Sequence, residues 1–319
     1  MTTAPPLALT LGDPAGIGPE IVVKAWQALR ESGPAFVVVG DPSALAGAPL
    51  SIAADPRDAA ASFADALPVI DGARGTGPEA VIRWIAEATR LALEGKVGGV
   101  VTAPIAKSRL YEAGFKFPGH TEYLADLTAA APMAAARGPV MMLTARDLRV
   151  ALVTIHTPLA DVPAAVTAER VMHVATVTHE ALQRDFGIER PRLALAGLNP
   201  HAGEDGAIGT EEVRVLAPAA AALRAKGVDI SDPKPADSLF HVEARRRYDA
   251  VVCLYHDQAL IPVKTIDFWG GVNVTLGLPI VRTSPDHGTG FDIAGQGVAR
   301  ADSLIAAIRL AAEIAGRRA

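Results

Sequence analysis

The feature that most constrains this 319-residue chain is a recurring pairing of a short apolar run, closed by a Gly-, Pro- or His-containing turn, with a following stretch of helical spacing. Residues 7–11 end in Gly12-Asp13-Pro14-Ala15-Gly16-Ile17-Gly18-Pro19-Glu20, and residues 21–29 then take helical spacing with Pro19 suited to the first turn. Residues 35–39, 67–70 and 97–101 read as further strands, and residues 79–93 as a long helix feeding the last of them. Strands separated by helices predict an α/β fold with a mainly parallel sheet covered on both faces. The same alternation continues with strands at 193–198, 228–231 and 250–255, helices at 168–186 and 211–225, and a closing helix at 301–315.

One interruption stands out. Residues 140–144 and 148–155 are two β-rich runs separated by Ala145-Arg146-Asp147, which predicts a hairpin rather than another crossover. This change of connectivity marks a domain boundary near residue 130, and the chain length favours two domains.

Thirty Lys and Arg against 35 Asp and Glu give a net charge of -5, so no broad basic face is offered to nucleic acid or an anionic membrane. An anionic substrate must be held by a few local Arg, Lys or His side chains. The single cysteine, Cys253, lies in a strand-like run and reads as a small buried residue in a reducing compartment. No signal-type leader and no unbroken apolar window of about 18 residues is present. The expected location is the cytoplasm.

Three groups of residues carry candidate chemistry. The turn at 12–20 either presents backbone N–H groups to an anion or simply closes the rim of the sheet; it is neither the dinucleotide pattern G-x-G-x-x-G nor a P-loop. In Phe117-Pro118-Gly119-His120-Thr121-Glu122, His120 and Thr121 precede a helix expected over 122–127, as anion donors or as its cap. Three strand-like runs each end in a histidine: His156, His201 and His256. Three imidazoles with an open position describe a catalytic metal site; the alternative is three hydrogen-bonded loop histidines. Asp257 and Asp205 either orient imidazoles, act as bases, or solvate loop ends. His173 and His179 read as ordinary helix residues.

Gly12 to Glu20, Gly119-His120-Thr121-Glu122, Leu198-Asn199-Pro200-His201-Ala202-Gly203-Glu204, Tyr255-His256-Asp257-Gln258 and Asp286-His287-Gly288-Thr289 together resemble the 4-hydroxythreonine-4-phosphate dehydrogenase family of pyridoxal phosphate (vitamin B6) biosynthesis. The resemblance implies a fold like isocitrate and isopropylmalate dehydrogenases, two α/β/α domains with a cleft between them. It places a cofactor-side domain at 1–129 plus 271–319 and a metal and dimerisation domain at 130–270. It implies a homodimer with a shared active site, NAD or NADP, and one divalent metal (Zn, Mg or Co) per site. His156, His201 and His256 would bind the metal across the dimer interface. His120, Thr121, Lys264, Asn273, Arg282 and, more weakly, Asp237 would meet a small phosphorylated hydroxy-amino acid, with Asp257 or Lys264 as the catalytic base. A loop from Asp286 to Gly295, using His287, Gly288, Thr289 and Asp292, would hold the cofactor's adenosine half; this chain has Gly290 where many relatives carry Ala. The implied reaction oxidises 4-phosphohydroxy-L-threonine at C3, and the keto acid decarboxylates to 3-amino-2-oxopropyl phosphate. Alternatives are a dehydrogenase of 4-phosphothreonate, 4-phosphoerythronate or a dihydrodiol carboxylate, and, from another class, a non-catalytic sugar-phosphate binding protein.

Overall fold

The computed structural model describes residues 5–70 and 72–319. The chain forms two compact units, Met1–Met133 with Leu278–Ala319, and Ala134–Gly277.

The first unit opens with β1 (Leu7–Thr10), α1 (Gly18–Leu29) and β2 (Phe36–Val39). It continues through β3 (Leu50–Ala53), α2 (Ala59–Ser62), β4 (Leu67–Ile70), α3 (Pro78–Leu93), β5 (Val100–Thr102), α4 (Lys107–Glu112) and α5 (His120–Leu127). The chain then builds the second unit. Its elements are β6 (Val140–Ala145), β7 (Leu148–Leu152), α6 (Val162–Ala165), α7 (Ala168–Arg184) and β8 (Arg192–Ala196). A π-helical turn, Glu212–Leu216, runs into α8 (Ala217–Ala225), followed by β9 (Asp229–Lys234), α9 (Val242–Arg245), β10 (Ala250–Cys253), α10 (His256–Ile266) and β11 (Val272–Leu276). Last, β12 (Arg282–Pro285) and α11 (Asp302–Arg318) complete the first unit.

Strands of the first unit run in the order β3-β4-β2-β1-β5-β12, each paired in parallel with its neighbours in this unit. Every residue of β1, β2 and β4 is buried, which is why these runs are apolar throughout rather than alternating. Helix α1 carries Pro19 in its first turn and buries Ile21, Val22, Ala25, Trp26 and Leu29; the Trp26 indole N–H donates to the Phe63 carbonyl at 2.8 Å. Strands β2, β4 and β3 lie on one side of β1 and β5 on the other, so the order reverses between β1 and β5. In an open parallel sheet, ligands bind beyond the carboxyl ends of the strands at such a point.

In the second unit the order is β11-β6-β7-β10-β8-β9. The hairpin read from the sequence is present: β6 pairs antiparallel with β7, and Arg146 takes φ 53° in the turn. Beyond it β7, β10 and β8 are parallel neighbours. Leu143, Val150, Leu152, Val251, Cys253, Ala259 and Val263 form the core there, each large aliphatic side chain contributing about 1.5–3 kcal/mol by burial.

Three local expectations need correction. Helix α5 begins at His120, two residues early, because Gly119 supplies the extended backbone that starts it. The helix expected over 211–225 is a π-helical turn followed by an α-helix. The strand expected over 250–255 ends at Cys253, and α10 follows from His256 with Pro262 inside it. Among the described residues, no helix is long and apolar enough to cross a membrane.

Candidate active site

The first unit gathers its functional groups where the strand order reverses. Gly12, with φ +74°, lets the turn after β1 meet the turn after β5: a Cβ there would lie 2.4 Å from the Pro104 carbonyl oxygen. The Asp13 N–H donates to that same carbonyl at 2.9 Å. The Asp13 carboxylate is buried and accepts from the Ala15 N–H at 3.0 Å and the Arg109 guanidinium at 2.6 Å. The acidic group in this turn is therefore already neutralised by Arg109, and what the turn exposes is backbone.

Beside it lies a cluster of cationic and imidazole groups. Arg282, 3% exposed, donates from Nη2 to the Thr102 hydroxyl at 2.7 Å. Burial lowers its pKa to about 10, with the Glu122 carboxylate opposing the shift. His120 is part-exposed as a residue, but its Nε2 is fully occluded and has no hydrogen-bond partner. Burial first, and then the positive charges of Arg282 and Lys107, hold the His120 pKa well below the ordinary 6.5, so the ring is neutral. Gly119 has no side chain to cap the first turn of α5, and a Cβ there would lie 3.4 Å from Lys107 Cε and 3.6 Å from Nζ. An occluded imidazole nitrogen, two cations and an uncapped helix start suit an anion, with the Glu122 carboxylate as an opposing charge beside them.

The loop from Asp286 to Gly295 is tied down at both ends. The Ile17 N–H donates to the Thr289 carbonyl at 2.8 Å, and a Cβ on Gly16 would lie 2.7 Å from that oxygen. At the far end the Glu20 carboxylate accepts from Lys24 Nζ at 2.8 Å and from the N–H groups of Gly297 and Ala299 at 3.2 and 2.8 Å. The Lys24 ammonium also donates to the carbonyls of Gly297 and Ala299 at 2.8 and 2.7 Å. Burial would raise the Glu20 pKa, but the Lys24 and backbone hydrogen bonds hold it below the usual carboxylate range. Along this loop His287, Gly288, Phe291 and Asp292 are exposed. Nothing lies within 4 Å of a Cβ built on Gly288, so this loop offers open backbone. Gly290 has φ +52°, a conformation that Ala rarely adopts.

In the second unit the three histidines follow the carboxyl ends of neighbouring parallel strands: His156 after β7, His256 after β10, His201 after β8. The His156 and His256 ring centroids are 5.8 Å apart. His256 Nδ1 is 2.7 Å from Asp257 Oδ1; with Nδ1–H donating, Nε2 keeps its lone pair for a cation. His201 belongs to a turn in which His201, Ala202, Gly203, Glu204 and Asp205 all have positive φ, between 43° and 79°. Four of these are not glycine, and left-handed backbone costs roughly 1–2 kcal/mol per such residue. Among the described residues, no three His, Cys, Asp or Glu side chains converge on one point, so His201 does not join the other two within one chain.

The remaining candidates of this unit stand on separate elements. Lys264 is on α10, its ammonium 5.3 Å from the Phe268 ring centroid. Asn273 is on β11, and its Oδ1 is buried without a hydrogen-bond partner. Asp237 is exposed in the turn Ala236–Ser238. In the first unit, Thr121 sits beside His120 in the first turn of α5. Lys107, Glu20, Lys24 and Glu212 were not singled out from the sequence. Only Lys107 carried a usable signal, as the cation closing the turn after a strand.

Residues 35–311 match the family model described as pyridoxal phosphate biosynthetic protein PdxA. A 4-hydroxythreonine-4-phosphate dehydrogenase of Caulobacter vibrioides is 62% identical over 99% of both chains, and one from Maricaulis maris is 55% identical over the whole of both. The crystal structure of 4-hydroxythreonine-4-phosphate dehydrogenase from Klebsiella pneumoniae superposes with a TM-score of 0.86 at 40% identity, covering 98% of each chain. A terephthalate 1,2-cis-dihydrodiol dehydrogenase from Burkholderia xenovorans gives 0.64 at 28% identity, again over 98% of each.

Proposed function

Because this chain belongs to the family of the pyridoxal phosphate biosynthetic protein PdxA, we propose that it is a metal-dependent NAD(P)-linked dehydrogenase of 4-phosphohydroxy-L-threonine. The observation that carries this reading is the pair of imidazoles, His156 and His256, at the ends of neighbouring parallel strands, with Asp257 orienting the second. Two imidazole nitrogen donors, one of them backed by a carboxylate, suit a divalent cation such as Zn or Co. His201 would be the third ligand, supplied by a second copy of the chain. Large apolar side chains exposed on the second unit, among them Leu159, Ile261, Phe268 and Trp269, support self-association through that unit.

The first unit would hold the substrate phosphate. Arg282 and Lys107 supply charge, the N–H groups opening α5 supply donors, and the orphaned His120 Nε2 takes a phosphate oxygen as its missing partner. Thr121, Lys264, Asn273 and Asp237 would meet the rest of the substrate. The buried Asn273 Oδ1 is an acceptor suited to an ammonium or hydroxyl. The loop residues His287, Gly288, Thr289 and Asp292 would bind the adenosine half of NAD or NADP, the loop being held by Ile17, Glu20 and Lys24.

A divalent cation, when bound, would supply Lewis acidity for the C3 hydroxyl, and NAD or NADP would be the two-electron acceptor. The C3 hydrogen would leave as hydride and the hydroxyl proton would pass to a base on α10, Asp257 or Lys264. The resulting 3-keto acid loses carbon dioxide from C1, leaving 3-amino-2-oxopropyl phosphate. Asp257 is already bonded to His256, which favours an orienting role for it and leaves Lys264 nearer the proton transfer.

The likeness to the dihydrodiol dehydrogenase supports a second reading, in which the anion seat takes a carboxylate instead of a phosphate. Assaying NADH formation with 4-phosphohydroxy-threonine, 4-phosphothreonate and a terephthalate cis-dihydrodiol separates the two. Turnover confined to the first compound is expected; exclusive turnover of the dihydrodiol would overturn the proposal.

A further inference from the structure

The left-handed turn that carries His201 is held from behind by a buried carboxylate. Glu212 is 3% exposed and accepts from the N–H groups of Leu198 and Asn199, both at 2.7 Å, and from Asn199 Nδ2 at 2.9 Å. These donors lie immediately before Pro200, where the turn begins. At its middle, a Cβ on Gly203 would lie 2.6 Å from Glu212 Oε2, so the backbone there packs directly against the carboxylate. At its exit, the Ile208 N–H donates to the Gly203 carbonyl at 3.1 Å, and a Cβ on Gly209 would lie 2.2 Å from Asn199 Nδ2. One side chain and its amide partner thus fix the entry, middle and exit of a segment whose backbone is unfavourable by itself. Glu212 opens the π-helical turn, a local irregularity that often accompanies functional sites.

We propose that Glu212 is a positioning residue for the metal site: it keeps His201 in the left-handed turn from which the imidazole binds the cation. This rests on the reading of His201 as a ligand. A carboxylate suits the task because all its donors are amide N–H groups, so replacing it by Gln sets an NH2 against them and leaves one unsatisfied.

The test is Co2+ titration of metal-stripped full-length protein, following the visible absorption of the bound ion, for wild type, H201A, E212Q and G203A. Expected is a 10–100-fold weaker Co2+ affinity and an altered spectrum in E212Q, as for residues that orient a metal ligand without touching the metal, with G203A behaving alike. Wild-type affinity and spectrum in E212Q, alongside weakened binding in H201A, overturn the proposal while leaving the ligand assignment standing. Unchanged binding in H201A overturns both. Should E212Q fail to fold, N199A and G203A perturb the same support from its two other sides; wild-type Co2+ binding in both overturns it.

Discussion

The first unit collects its charged groups within a single chain, while the second brings two imidazoles together and leaves a third apart. Arg282 is buried, the His120 Nε2 is occluded and Lys107 lies beside Gly119 at the start of α5, so the groups proposed to hold the phosphate all belong to one copy. His156 and His256 share a neighbourhood, whereas His201 rides on a separately braced turn. On the function proposed above, substrate anchoring belongs to one chain and metal binding needs a second copy.

The largest expected effect tests the histidines. Replacing His256 or His201 with Ala should lower turnover on the order of 10²–10³-fold, the loss of several kcal/mol of Lewis-acid stabilisation, with H173A within about twofold. Equal effects of H201A and H173A in a steady-state NADH assay would break the distinction between strand-end and helix histidines.

Next, R282Q should raise KM for the phosphorylated substrate by roughly 10–100-fold, as expected for losing charge-assisted hydrogen bonds, and leave Co2+ affinity unchanged. A parallel loss of metal binding would merge the two sites that the comparison separates.

A smaller effect concerns stability and pH. The unfolded chain takes up a proton on His120 near pH 6.5, whereas the buried ring of the folded chain resists it. Stability from this group is therefore full above that pH and falls as the pH drops below it. Urea unfolding at pH 7.5 and 5.5 should show a drop in wild type that is reduced in H120N. Identical pH dependence in the two would contradict the occluded-ring geometry.

The smallest effect is chemical. Cys253 is fully buried and burial raises its thiol pKa, so it should resist a thiol reagent in the native protein and react on unfolding.

Much of the fold was legible because the strands of the first unit are buried on both faces and read as unbroken apolar runs. Strand β3 escaped because three of its four residues are not fully buried and give no such run. Helix α10 escaped because Pro262 breaks its pattern, and the π-helical turn because its spacing differs too little from an α-helix. At the site, the strand-end position of the histidines was readable from where apolar runs stopped. The left-handed turn was not, since His201, Ala202, Glu204 and Asp205 carry no signal for positive φ. Nor was Glu212, whose importance arises from contacts 9–14 residues away in sequence.

The most direct test of the central claim is removal and return of the metal. Full-length protein stripped of divalent cations should form no NADH from 4-phosphohydroxy-threonine, and stoichiometric Zn2+ or Co2+ should restore it. Undiminished NADH formation after complete stripping would contradict the account.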